Sequence, residues 1–165
     1  TGALLTLMVG PSGGGKTTWL GANEAASWGI HPSHIINSDR IRIDLHGDFR
    51  DQTHNQQTFE VLHGLVKSRL RYGLNTVIDA THLRRKDRLN AVALARGGAV
   101  RYIVVNRPMV DKYKDAGWRA KLDFDLIAKH EQTFKSQVKD ILAGDGQTNV
   151  DVRDCRLVET AVVVL

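Results

Sequence analysis

Cysteine is almost missing from this chain of 165 residues: Cys155 stands alone, so no disulfide can form within it. A lone thiol fits a reducing compartment, and a cytoplasmic location is the expectation. The histidines are scattered, from His31 to His130, and none shares a zinc-like spacing with Cys155. Long apolar runs are also missing. None approaches the ~18 residues of a membrane span, so no membrane partner is expected. The apolar opening Ala3–Val9 is too short for a signal peptide and runs straight into a glycine-rich stretch. The chain opens on Thr1-Gly2 rather than methionine, which leaves a further segment or domain upstream open. Acidic residues are outnumbered, giving a net charge of +5. That excess suits a polyanionic ligand and equally an ordinary solvated basic surface.

What is present alternates between strand and helix signals. Leu4–Val9 is a short apolar run stopped by Gly10 and Pro11, the pattern of a buried strand. A helix is predicted from about Gly15 to Trp28, and Ile35-Ile36 is a second strand. Ser38 is an N-cap candidate for a helix ending near Gly47. Phe59, Leu62, Val66 and Leu70 recur at helical spacing between about Asp51 and Tyr72. Thr76–Ile78 is a strand ending on Asp79, followed by a helix from about Arg85 to Arg96 and a strand over Val100–Val105. Arg107–Trp118 has no clean apolar period and reads as a surface segment, a lid over about 107–119. A helix from about Ala120 to Leu142 and strands at Val150–Val152 and Ala161–Leu165 complete the chain. The expectation is one α/β domain over 1–165, a parallel sheet of about 4–5 strands with helices on both faces.

Gly10-Pro11-Ser12-Gly13-Gly14-Gly15-Lys16-Thr17 matches the phosphate-loop pattern Gly-x-x-x-x-Gly-Lys-Thr. Chance produces it in roughly 1% of chains this long, and here it also follows a strand and opens a helix. Glycines let the backbone turn tightly and aim its N–H groups inward. The helix N-terminus adds positive potential where phosphates sit. Lys16 is expected on the β- and γ-phosphates, and the Thr17 hydroxyl on magnesium. Pro11, Ser12, Gly13, Gly14, Gly15, Lys16, Thr17 and Thr18 are therefore the candidate contacts to a nucleoside triphosphate, ATP or another. The base-reading Asn-Lys-x-Asp of GTPases is not found, and the length suits a small kinase of the P-loop NTPase fold rather than a motor.

The second strand ends in Asn37-Ser38-Asp39-Arg40-Ile41-Arg42, at the carboxyl edge where parallel sheets bind ligands. An acceptor hydroxyl needs a carboxylate to take its proton, and Asp39 is placed for that; it is also a candidate metal ligand. Arg42, one turn on, can hold an acceptor phosphate. The blander reading makes Asp39 a helix-start carboxylate and Arg42 a solvated charge. Asp79 and Thr81 mark a second polar strand end, suited to orienting magnesium waters or tying down the phosphate loop, or simply to closing a strand. Arg84-Arg85-Lys86-Asp87-Arg88 carries four cations in five residues, a pattern for a nucleic-acid backbone or for a salt-bridged helix start.

Together these elements resemble the P-loop polynucleotide 5′-hydroxyl kinase family, within the wider zeta toxin and polynucleotide kinase group of small P-loop kinases. The resemblance rests on Gly10–Thr17, on Asn37-Ser38-Asp39-x-x-Arg42, and on Val77–Thr81 followed by Leu83–Arg88, and covers about residues 4 to 142. It implies that Asp39 is the general base for a 5′-hydroxyl and that Arg42 clasps the 3′-phosphate of the terminal nucleotide. Asp79, Thr81 and Arg85 are further candidates on the substrate side. It also implies a lid cation on the β- and γ-phosphates. Arg107 comes first for that role, then Arg119, then Lys112, because Pro108 and the lysines depart from the family's spaced arginine pair. The phosphatase signature Asp-x-Asp-x-Thr that often accompanies such kinases is not found. The implied activity is ATP- and magnesium-dependent transfer to a nucleic acid 5′-OH end. Two alternatives stay open: a small kinase of a mononucleotide or other metabolite, and a nucleotide-dependent binding module without acceptor chemistry.

Overall fold

The sequence Leu5-Thr6-Leu7-Met8-Val9 has no polar face, and a strand of that kind is stable only when covered on both sides. In the computed structural model, which describes residues 2–49, 53–119 and 124–157 and only the backbone of 116–119, this strand lies at the centre of the sheet. The order of elements is β1 (Leu5–Val9), α1 (Lys16–Leu20), α2 (Asn23–Ser27), β2 (Ile35–Asn37), α3 (Ser38–His46), α4 (Asn55–Arg71), β3 (Thr76–Asp79), α5 (Arg85–Ala93), β4 (Val100–Val104), α6 (Met109–Arg119), α7 (Phe124–Leu142) and β5 (Val150–Asp154). The five strands form one parallel sheet in the order β2-β3-β1-β4-β5.

Alternation reappears inside the apolar strand. Leu5, Leu7 and Val9 enter one core with Ile78, Tyr102 and Val104, under Leu62 and Val66 of α4, Ala91 of α5, and Phe134 and Ile141 of α7. Met8 points the other way, joining Val77, Ile103, Val105 and Leu20, with Trp19 and Trp28 packed against them. Full burial of side chains of this size contributes about 1.5–3 kcal/mol each, so β1 anchors both layers. The expected sheet with helices on both faces is the observed architecture.

The differences from expectation are local. The helix predicted over about Gly15–Trp28 is two short ones, because Ala22 adopts an extended backbone (φ −84°, ψ 161°) beside the weak helix former Gly21. The break folds Trp28 edge-on to Trp19, with ring centres 5.4 Å apart. Arg107–Trp118 is not irregular; Met109–Arg119 is helical. Its period was hidden because an inward position is a lysine, Lys112, which is 1% exposed. The predicted starts near Asp51 and Ala120 and the strand at Ala161–Leu165 lie outside the described residues.

The register decides where the site is. Asn37 pairs with Asp79, and Val9 with Val104, so neighbouring strands end at one level. Their carboxyl edge gathers the loop after β1, the start of α3, residues 79–82 and residues 105–107.

Candidate active site

The phosphate loop is pinned from both sides. The Gly10 N–H donates to the Thr81 carbonyl at 3.0 Å. A Cβ on Gly10 would sit 1.9 Å from the Val105 carbonyl oxygen, so only glycine fits between β3 and β4 there. Gly15 takes the left-handed conformation (φ 92°) that turns the chain into α1. Lys16 Nζ donates to the carbonyls of Gly10 and Pro11, both at 2.9 Å, and so lies folded across the loop mouth. Burial lowers Lys16 to about 8, against the opposing pull of Asp79 and Asp39.

Thr17, Asp79 and Asn37 form a chain of hydrogen bonds across three elements. Thr17 Oγ1 donates to Asp79 Oδ2 at 2.9 Å, and Asn37 Nδ2 donates to the same oxygen at 2.8 Å. Asn37 Oδ1 meanwhile accepts from the Arg40 N–H and caps α3. Asp79, 4% exposed, thus ties the phosphate loop to β2 and β3. A hydroxyl with carboxylates behind it is the hard-oxygen chemistry that magnesium takes. Thr17 would hold such an ion directly, and Asp79 would stand behind it to accept hydrogen bonds from the ion's waters.

Beside it, Asp39 and Arg42 are paired. Arg42 donates to Asp39 Oδ1 at 2.8 Å and, through Nε and NH2, to Asn55 Oδ1 at 3.3 and 3.0 Å. Its guanidinium lies 5.9 Å from the centre of the Phe59 ring. Arg42 is not the solvated charge of the blander reading; it is 7% exposed, while the Asp39 side chain stays 56% exposed at the mouth. Desolvation by the surrounding walls holds the Asp39 carboxyl above its ordinary range, with Arg42 opposing and the neighbouring Asp79 adding to it.

On the other side of the loop, α6 and α7 close down. Arg107 Nε donates to the Gly13 carbonyl at 2.6 Å, and its guanidinium pairs with Asp115. The Lys112 stem packs on Gly13, and its ammonium pairs with Glu131, which also accepts from Asn106 Nδ2 at 3.1 Å. The Arg119 side chain lies outside the described residues. His130, which no motif indicated, accepts the Ser12 N–H on Nδ1 at 3.2 Å. The signal for His130 and Glu131 was in the sequence: they sit three and four residues after Ile127 and just before Phe134, on the inward stripe of α7, where polar residues need a reason.

The basic run separates into two kinds of residue. Arg88 is fully buried and cannot face a nucleic acid. It makes a double contact with Asp145 at 2.8 and 2.9 Å and donates to the carbonyls of His82 and Leu83 and to Gln137. Tyr102 closes the network on Asp145 at 2.8 Å. Arg85 touches the Asp145 carbonyl at 3.3 Å with half its side chain exposed. Thr81 contributes its carbonyl to Gly10, and the buried His82 ring bonds the Met8 carbonyl at 2.7 Å.

The loop, the sheet order and the paired strand ends form one arrangement, and residues 5–116 match the AAA domain family. The chain belongs to that family. This AAA domain has a P-loop kinase-like fold, which it shares with solved structures of low identity. One is a chain of the Pnkp1/Rnl/Hen1 RNA repair complex, with TM-score 0.67 and 20% identity, covering 84% of this chain and 46% of that one. A gluconokinase from Sinorhizobium meliloti 1021 gives 0.54 and 18%, covering 93% and 82%. The Mycobacterium tuberculosis APS kinase CysC gives 0.53 and 15%, covering 96% and 84%. The AAA domain here spans less than half the length of the repair-complex chain. No curated protein matches it in sequence.

Proposed function

We propose that this AAA domain is a polynucleotide 5′-hydroxyl kinase, moving the γ-phosphate of ATP or another nucleoside triphosphate to the 5′-OH end of DNA or RNA. The observation that carries the reading is the Asp39–Arg42 pair, joined at 2.8 Å, at the strand end next to the Asp79–Thr17 bond. A carboxylate that is exposed at a cleft mouth and oriented by a buried guanidinium is suited to receive a hydroxyl proton. The acceptor oxygen attacks the γ-phosphorus while its proton goes to Asp39, and the bond to the β,γ-bridging oxygen breaks to release the diphosphate. Lys16 gives up its bonds to the Gly10 and Pro11 carbonyls and takes phosphate oxygens instead. Arg107, already on the loop at the Gly13 carbonyl, is the first candidate for the lid cation, with Lys112 beside it. Thr17, with Asp79 behind it, would hold a magnesium ion, which would supply further neutralisation of the phosphate charge.

A second reading, a kinase of a mononucleotide or other small metabolite, draws on Arg88. Its burial removes one cation from the basic rim that favoured a long polyanion. Labelled ATP tested against 5′-hydroxyl DNA, 5′-hydroxyl RNA, nucleoside 3′-monophosphates and deoxynucleoside monophosphates separates the two. The polynucleotide reading expects label on an oligonucleotide end and an acceptor KM that rises steeply with salt. Label only on monomers overturns it in favour of the second reading. ATP binding with no transfer to any of them leaves only a binding module.

A further inference from the structure

We propose that His130 belongs to the donor site: its ring holds the Ser12 N–H while the phosphate loop is free, and passes to the terminal phosphate when a triphosphate binds. This rests on the reading that Gly10–Thr17 cradles the phosphates of a nucleoside triphosphate.

The loop's N–H groups are there to receive phosphate oxygens, yet one of them already has an acceptor, His130 Nδ1 at 3.2 Å. That acceptor comes from α7, 118 positions away in the chain, so the contact is tertiary and not a consequence of the loop's own turn. Accepting on Nδ1 requires that nitrogen to be unprotonated. The charges acting on the ring are cationic and come from four places: Lys16 at the loop, Lys129 on its own helix, Lys112 on α6, and Arg84 before α5. Glu131, the adjacent carboxylate, is spent on Lys112 and Asn106. A neutral ring surrounded by cations marks a place where an anion is wanted, and burial together with those cations keeps it neutral, lowering it to about 4.

A γ-phosphate entering here reverses the field. It competes for the Ser12 N–H, freeing Nδ1, and its negative charge offsets the four cations, so the neutral ring can carry its one N–H on either nitrogen and donate it to a phosphate oxygen. The exchange gives His130 a partner in both states. A diphosphate, lacking the outer group, leaves the ring on Ser12. His130 thus separates triphosphate from diphosphate, because its second partner exists only when the outer phosphate is present.

The test follows the Cε1–H signal of His130 by NMR as pH is varied, using the His130→Asn variant to assign it and to keep an acceptor near Ser12. The free protein should titrate near pH 4. With magnesium and a β,γ-imido ATP analogue the midpoint should rise by about one unit or more, and with ADP it should stay put. In parallel, His130→Asn should weaken the analogue about tenfold while ADP stays within about twofold, the loss expected for one charge-assisted hydrogen bond. If the analogue binds the wild type and the midpoint does not move, or if both nucleotides weaken equally or not at all in His130→Asn, the proposal is wrong. Tighter analogue binding in the variant makes the ring a mere obstruction and also overturns it. A wild-type protein that binds neither nucleotide refutes the donor-site reading itself, and His130 with it.

Discussion

Arg42 and Arg88 are two arginines drawn from polar stretches, and both are buried. Their surroundings differ in one respect. Arg88 ends on Asp145, Gln137 and two carbonyls, with Tyr102 closing the far side, and the Arg88–Asp145 pair is sealed at 0% exposure on both side chains. Arg42 is held just as firmly by Asn55 and Ser38, but its carboxylate partner, Asp39, is open to solvent at the carboxyl edge of the sheet. The first arrangement is complete in itself and joins α5, β4 and the turn after α7. The second stops one partner short of closure, next to the phosphate loop. Burial of a charge therefore does not distinguish a strut from a site; the accessibility of its partner does.

The largest effect is expected at the open pair. Asp39→Ala should lower the transfer rate on the order of 10²–10⁴-fold, the usual worth of a general base, with nucleotide affinity little changed. A variant with near-normal turnover breaks the site half of the comparison. Next comes the closed pair. Arg88→Ala leaves Asp145 charged and buried, and should cost about 3–5 kcal/mol of unfolding free energy by denaturant titration. A loss below about 1 kcal/mol would show that the network is not sealed.

The closed side also carries a pH signature. Burial lowers His82 from 6.5 to about 4, against the hydrogen bond to Met8. The folded state then binds fewer protons than the unfolded one between those two values. Its contribution is complete above pH 6.5 and is lost as pH falls toward 4, by about 3 kcal/mol in all. His82→Asn should flatten that part of the stability curve, and an unchanged slope counts against the buried neutral ring. The smallest effect is at Arg42→Lys. It keeps the charge but loses the fork that reaches Asp39 and Asn55 together, and should raise acceptor KM about tenfold with little change in donor affinity.

Much of this was legible beforehand for a simple reason. Strand β1 is apolar but for the buried Thr6, and the loop after it needs glycine where the backbone meets Val105, so both announce themselves in residue types. Asp39 and Arg42 were legible too, because a pair three residues apart on a helix start is already a neighbour in space. The lid was not. Lys112 broke the apolar period of α6 by being a buried cation, its stem against Gly13 and its ammonium on Glu131.

The chain's own order of residues thus determined the parallel sheet, the phosphate loop and the carboxylate–arginine pair, since each depends on contacts within a few residues or on composition alone. Only the tertiary structure decided which cation of Arg84–Arg88 is internal, that Thr17 and Asn37 converge on Asp79, and that His130 reaches Ser12. Those contacts join residues 42 to 118 positions apart, and a distance of that kind is set by strand order and helix packing, which no local pattern encodes.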